Sequence, residues 1–256
     1  MSLALITGAT SGLGIEFARL AAQDGFTIVA TGQNKKALKK LSLELAQKYG
    51  ATVHCLPLNL CKKGAVKRLI HFVEDLNCPV ELLVNNAGFG LDAPFVNSNK
   101  KRQNNLEKLD VTVVRKLCRH LLPAMLKRGT GAILNIASVA AFLPGPSMAT
   151  YFASKAYVAS FSLALHHELA DKGIRVSALC PGPVRTAFWA RANADKTIYV
   201  RLAQKPDIVA RSAWHGLKRN KALVVPGILG KSIVLASRLL PRKWMAAGAS
   251  RMNQNI

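Results

Sequence analysis

Tyr151 and Lys155 bracket the segment Tyr151-Phe152-Ala153-Ser154-Lys155. Four residues apart on a helix, their side chains share a face. A phenol titrates near about pH 10, too high for easy proton exchange at neutral pH. An ammonium beside it stabilises the phenolate and lowers that value. Such a tyrosine can protonate a developing alkoxide, or deprotonate an alcohol in reverse. A lone Y-x-x-x-K is common on helices and carries little weight. Ser138 adds to it, standing thirteen residues earlier at the end of an expected strand. Ligands bind at strand C-termini in open parallel sheets, and the Ser138 hydroxyl can orient a substrate carbonyl.

A second constellation runs Thr7-Gly8-Ala9-Thr10-Ser11-Gly12-Leu13-Gly14. Glycines let backbone approach a pyrophosphate, and the following helix N-terminus supplies free N–H groups and positive potential. The spacing is G-x-x-x-G-x-G. A plain tight turn would also use it, but its place between a first strand and a helix favours nucleotide binding through Gly8, Thr10, Ser11, Gly12, Leu13 and Gly14. An acidic residue about 20 positions on would bind the ribose hydroxyls of NAD. From Gly25 to Leu43 there is no Asp or Glu, and the second strand runs out into Gly32-Gln33-Asn34-Lys35-Lys36. A 2′-phosphate near Gln33 would meet polar and cationic groups, so NADP(H) is favoured over NAD(H). The other reading of Lys35 and Lys36 is an exposed first helical turn.

The elements that must position these groups alternate. Strands are expected at Leu3–Thr7, Phe26–Thr31, Thr52–Leu58, Glu81–Asn85, Ala132–Ala137, Arg175–Leu179 and Ala222–Val225. Helices are expected at Leu13–Gln23, Lys35–Tyr49, Ala65–Leu76, Leu106–Lys127 and Thr150–Ala170, with Pro123 interrupting the fourth and Lys172-Gly173 closing the fifth. Leu38, Leu41 and Leu45 fall on one face of the second helix. This alternation predicts a single α/β domain over 1–256, a Rossmann-like, doubly wound parallel sheet with helices on both faces. Runs such as ALITG, ELLVNN and AILNIAS suit strands buried on both sides. Residues 183–206 break the alternation and read as a substrate loop; 228–256 form a C-terminal extension.

Composition narrows the classes. With 256 residues, half of them hydrophobic, the chain can bury a large core. No apolar run reaches the roughly 18 residues that span a bilayer, and no secretory signal pattern is visible, so the expected location is the cytoplasm. The five cysteines show no metal-ligand spacing and read as idle thiols. His167-Glu168 begins like a zinc-protease helix, but Asp171 stands where the second histidine would be; no metal is expected. Thirty-six Lys and Arg against 13 Asp and Glu give a net charge of +23. That field would draw phosphates, nucleic acid or an anionic membrane. The clusters are short and no nucleic-acid motif accompanies them, so nucleic acid is not the expected partner, and a solvated surface partly accounts for the charge.

Together these residues resemble the short-chain dehydrogenases/reductases (SDR). The matching segments are TGATSGLG at 7–14, NNAG at 85–88, ILNIAS at 133–138, YFASK at 151–155 and PGPVRT at 181–186, in order across most of the chain. The resemblance implies a seven-stranded Rossmann-like domain and a carbonyl–alcohol oxidoreductase. Ser138, Tyr151 and Lys155 fall on the catalytic positions, with Lys155 also holding the nicotinamide ribose and Tyr151 also contacting the cofactor. It implies cofactor contacts from Asn59 and Leu60, from Asn86, Ala87 and Gly88 on the adenosine side, and from Pro181, Gly182, Val184 and Thr186 beside the nicotinamide. It also implies a homodimer or homotetramer. Two positions depart from the pattern. Asp110 stands where the family has an Asn in a proton relay: it can accept from Lys155 or a water and keep a relay running, or hold Lys155 in an ion pair and raise the tyrosine pKa. Asn59 stands where an Asp commonly contacts adenine; its carbonyl oxygen can still accept. Phe89, Phe142, Leu143, Pro144, Phe188 and Trp189 are candidate pocket residues for a lipophilic substrate, or core or subunit-interface residues. The stretch Ile228–Met245 can rest on an anionic membrane, cover the pocket or meet another subunit, and Pro241 argues against one uninterrupted helix. Besides the active oxidoreductase, two readings stay open: a silent NADP-binding scaffold or sensor, and a basic protein docking on membrane or nucleic acid.

Overall fold

A computed structural model describes residues 2–192 and 202–253. Seven parallel strands form one sheet in the order β3-β2-β1-β4-β5-β6-β7. They are β1 (Leu3–Thr7), β2 (Thr27–Gly32), β3 (Val53–Pro57), β4 (Val80–Asn85), β5 (Gly131–Ile136), β6 (Ile174–Leu179) and β7 (Leu223–Val224). The direction of winding reverses between β1 and β4, which opens a crevice beyond their C-terminal ends.

One face of the sheet carries α1 (Leu13–Gln23), α2 (Lys35–Tyr49) and, from later in the chain, Pro206–Lys218. As expected, Leu38, Leu41 and Leu45 are the buried positions of α2. The opposite face carries α3 (Ala65–Glu74) and the long helices that follow β4 and β5. β1 is buried along its whole length, as its unbroken apolar run predicts.

The helix expected at Leu106–Lys127 is longer and less regular. It begins as α4 (Lys100–Glu107), where the Asn99 side chain caps the Arg102 N–H at 3.0 Å. A π-helical turn at Lys108–Val113 follows, and α5 (Val114–Arg128) completes it. Residues 100–105 are all polar, so no apolar periodicity betrayed the first turns. Pro123 lies inside α5 without ending it. α6 (Ala149–Glu168) ends earlier than expected, and Gly173, with φ of 71°, instead turns the chain into β6.

Beyond β6, α7 (Phe188–Ala192) is a short helix, and the expected substrate loop extends past it outside the described residues. Gln204 anchors its far end: its N–H donates to the Pro183 carbonyl and its own carbonyl accepts from the Arg185 N–H, both at 2.9 Å. α8 (Pro206–Lys218), α9 (Ile228–Leu239) and α10 (Arg242–Asn253) complete the chain. Pro241 separates α9 from α10, in keeping with its expected effect.

Candidate active site

The glycine turn between β1 and α1 is shaped by close approach. Gly8 and Gly12 have φ of 67° and 55°, and a Cβ on Gly14 would lie 2.2 Å from the Gly8 carbonyl oxygen. The NNAG segment after β4 is stitched to this turn. Thr7 Oγ1 accepts from the backbone N–H groups of Asn86 and Ala87, both at 3.0 Å. Asn86 Nδ2 donates to the carbonyls of Thr7 and Gly8 at 3.0 and 3.1 Å. The Asn86 amide therefore holds the turn in shape, and Asn86, Ala87 and Gly88 all supply wall.

A cavity of about 820 Å³ begins at this turn and runs across the strand ends. Gly8, Thr10, Ser11, Gly12, Leu13, Gln33, Asn59, Leu60, Pro181, Gly182, Val184 and Thr186 border it, and so do Ser138, Tyr151 and Lys155. Gly14 and Asp110 lie behind its wall. Among the described residues no carboxylate borders it, whereas Arg102, Lys155 and Arg191 do. Lys35 and Lys36 do not: they are exposed on the first turn of α2. Asn59 Oδ1 already accepts from the Cys61 N–H at 2.9 Å, leaving a lone pair and the amide hydrogens for a ligand. Arg191 reaches back from α7 and donates to Ser11 Oγ at 3.0 Å, and Arg102 donates to the Arg191 carbonyl at 2.8 Å. Sequence reasoning missed both, because only the fold brings α4 and α7 to the glycine turn.

The reactive end lies between α6 and β5. Ser138 Oγ accepts from the Ala140 N–H at 3.1 Å. Tyr151 and Lys155 are both buried, one turn apart, and the Lys155 ammonium lies 5.6 Å from the Tyr151 ring centre. Lys155 Nζ donates to the Ile136 carbonyl at 3.1 Å and lies 3.0 Å from Asp110 Oδ2. Asp110 is carried inward by the π-helical turn and is 1 % exposed. The Ser154 hydroxyl, 3.4 Å from Oδ2, also leans on this carboxylate. Burial pushes the Asp110 carboxyl above the usual range, against the pull of Lys155 and of polar groups from Phe89 and Ser154, while Oδ1 has no hydrogen bond of good geometry. Burial pulls Lys155 down, but the Asp110 charge, the Tyr151 oxygen and the hydrogen bond to Asp110 together hold the ammonium above its ordinary value. Tyr151 is pushed up by burial first; Lys155 opposes this, Asp110 adds to it and a Ser138 hydrogen bond lowers it. The 3.0 Å contact between Lys155 and Asp110 fits both outcomes open for Asp110, an acceptor in a relay and an ion-pair partner.

Four expected pocket residues, Phe89, Leu143, Phe188 and Trp189, line the cavity. Phe188 stacks at a tilt against Tyr151, ring centres 5.5 Å apart. Phe142 and Pro144 do not line it: Phe142 packs against a small core around Ala137 and Val158, and Pro144 is exposed. Met148 and Phe152 take their place, and α9 and α10 close the far side with Leu229, Ile233 and Trp244. Cys118 and Cys180 are buried thiols, each pushed up to about 12 by burial, and so are poor nucleophiles.

The chain is similar to known proteins over most of its length. Residues 2–197 match the family model described as short chain dehydrogenase. A serine 3-dehydrogenase of Agrobacterium fabrum is 33% identical over 185 residues, covering 72% of each chain. The ketoacyl reductase HetN of a Nostoc species is 30% identical over 224 residues, covering 86% of this chain and 77% of its own. A short-chain dehydrogenase from Sphingobium yanoikuyae, solved in complex with NADPH, superposes with a TM-score of 0.83 at 30% identity and covers 93% of both chains. The chain belongs to the short-chain dehydrogenase/reductase family, oxidoreductases that interconvert carbonyls and alcohols with a nicotinamide cofactor.

Proposed function

We propose that this protein reduces a carbonyl on a lipophilic substrate with NADPH, Tyr151 donating the proton. The observation that carries the reading is the cavity itself: the glycine turn and the Ser138, Tyr151 and Lys155 side chains border one continuous space. A dinucleotide fits that space. The turn has no Cβ where backbone must approach phosphate, and the wall at the end of β2 holds Gly32, Gln33 and Asn34 without a carboxylate. The bound nicotinamide would supply the hydride. Ser138 and Tyr151 would hold the carbonyl oxygen, and Tyr151 would pass its phenolic proton to the forming alkoxide. Lys155 would steady the phenolate and the ribose. Arg191 would reach a cofactor phosphate from α7, and Phe188, Leu143 and Met148 would exclude water from the reacting carbon.

The preference for NADPH over NADH rests on the missing carboxylate. The reading includes residues 183–206 as a substrate loop, a cytosolic location, and a homodimer or homotetramer, as the family likeness suggests. A silent cofactor-binding scaffold is favoured by one observation, the Asp110–Lys155 ion pair, which ties up the cation that should lower the tyrosine pKa. Titrating NADPH and NADH and then offering a panel of apolar ketones and aldehydes decides between them. Tighter NADPH binding with oxidation supports the reductase; binding without turnover across the panel, restored by Asp110→Asn, supports the scaffold.

A further inference from the structure

Helices α9 and α10 present two different faces. Leu229, Ile233, Ala236 and Leu240, spaced three or four apart, look into the cavity. Gly230 seats the helix: its missing side chain lets α9 approach Val225 and Val139. The outer face carries Ile228, Leu235 and Leu239, which are 85 %, 58 % and 73 % exposed. Among the described residues no helix covers them. Among them stand Lys231, Arg238, Arg242 and Lys243, all exposed, and none has a carboxylate within ion-pair distance among the described residues. Half of the large hydrophobic residues exposed among the described residues fall between Ile228 and Trp244.

Charge selects the occupant. From Ile208 to the last residue the sequence holds no Asp or Glu, but nine Lys and Arg. A second copy meeting this face across a two-fold axis would bring the same uncompensated cations against it. Nucleic acid would leave the leucines and Ile228 unused. Apolar side chains interleaved with snorkelling cations, with a tryptophan at the edge, suit the headgroup region of an anionic bilayer. Leu229, Leu240 and Trp244 border the cavity and are also exposed, so they mark its mouth on this same surface.

We propose that the outer face of α9 and α10 docks on an anionic lipid surface, setting the cavity mouth against the bilayer so that an apolar carbonyl substrate enters from the membrane. The entry half rests on the reductase reading; the docking half does not. Purified protein without cofactor would be sedimented with vesicles of phosphatidylcholine alone and of phosphatidylcholine mixed with phosphatidylglycerol. The expected result is partition onto the mixed vesicles only, weakened by salt. Leu235→Asp with Leu239→Asp, or Arg242→Glu with Lys243→Glu, should lower that partition on the order of tenfold or more. None of these four residues borders the cavity, so NADPH affinity should not change and serves as the check on folding. Equal partition of wild type and both variants would overturn docking through this face, as would no binding at low salt. Dissociation of an oligomer by the variants, seen in sedimentation velocity, would make the face a subunit interface and overturn it too. For entry, mixed vesicles should lower KM for a vesicle-dissolved long-chain ketone in wild type and not in the variants. An unchanged KM despite vesicle binding would overturn entry and leave docking standing, whereas failure of the reductase reading would appear as no turnover with or without vesicles.

Discussion

An amide at position 110 would both give and take hydrogen bonds, whereas the carboxylate there only accepts. Buried against Lys155 at 3.0 Å, it strengthens the lysine's positive charge but adds to the forces holding Tyr151 protonated. Reduction, which needs the phenol, tolerates this; alcohol oxidation, which needs the phenolate, does not. Asp110→Asn should therefore leave reduction intact or raise it. It should also move the pH profile of kcat/KM for alcohol oxidation to lower pH, by roughly one unit. Collapse of both directions would mean that the carboxylate itself takes part in the chemistry. Lys155→Ala leaves the opposite imbalance, a buried carboxylate without its partner, and should cost about 3–5 kcal/mol of stability at neutral pH. Stranded, the carboxyl titrates higher in the folded than in the unfolded chain. The deficit relative to wild type should then be small below the ordinary carboxylate range and grow as pH rises through the folded value. Denaturant midpoints of both proteins at acid and neutral pH measure it, and a deficit independent of pH would contradict the ion-pair assignment. Tyr151, Lys155 and Ser138 were legible from residue type and spacing. Asp110 was visible only against the family pattern, and its burial, which decides its effect, was not visible at all.

Where elements meet, the site depends on closeness more than on any one side chain. A Cβ at Gly14 would strike the Gly8 carbonyl at 2.2 Å, so Gly14→Ala should spread the turn and weaken NADPH binding by about tenfold or more while the sheet still folds. Fluorescence titration tests this, and unchanged affinity would mean that the turn does not hold the cofactor. Arg191 belongs to the same scale, since α7 carries it across to Ser11. Arg191→Ala should lower dinucleotide affinity by about tenfold, the worth of a hydrogen bond to a charged group. Equal losses for NADPH and NADH would place its partner in the pyrophosphate, a loss confined to NADPH in the 2′-phosphate, and no loss would remove it from the cofactor site. The strands and the first helices were legible because their periodicities are strong. The start of α4 was not, because Lys100-Lys101-Arg102-Gln103-Asn104-Asn105 has no apolar face to show and is fixed by its Asn99 cap and by its neighbours. The π-helical turn had no visible signal either: its extra residue is set by packing Leu109, Asp110 and Val113 inward together.

Across the whole molecule, an apolar cavity of about 820 Å³ lies under a strongly basic exterior. Among the described residues no helix is long and apolar enough to cross a membrane. The charge was plain in the sequence, but its meaning was not: only the fold separates the cations that line the cavity, Arg102 and Arg191, from those beside exposed leucines on α9 and α10. The substrate wall was half legible for the same reason. Residues flanking the motifs were in view, whereas the contribution of the C-terminal helices depends on how they fold back over the strand ends. The central claim is that Tyr151 gives a proton to a carbonyl in this cavity, and the most direct test is the rate of NADPH oxidation with apolar ketones, wild type against Tyr151→Phe. The expected result is turnover in the wild type and a loss of about 100-fold or more in the variant, with NADPH affinity unchanged. Comparable turnover in the two proteins would contradict it.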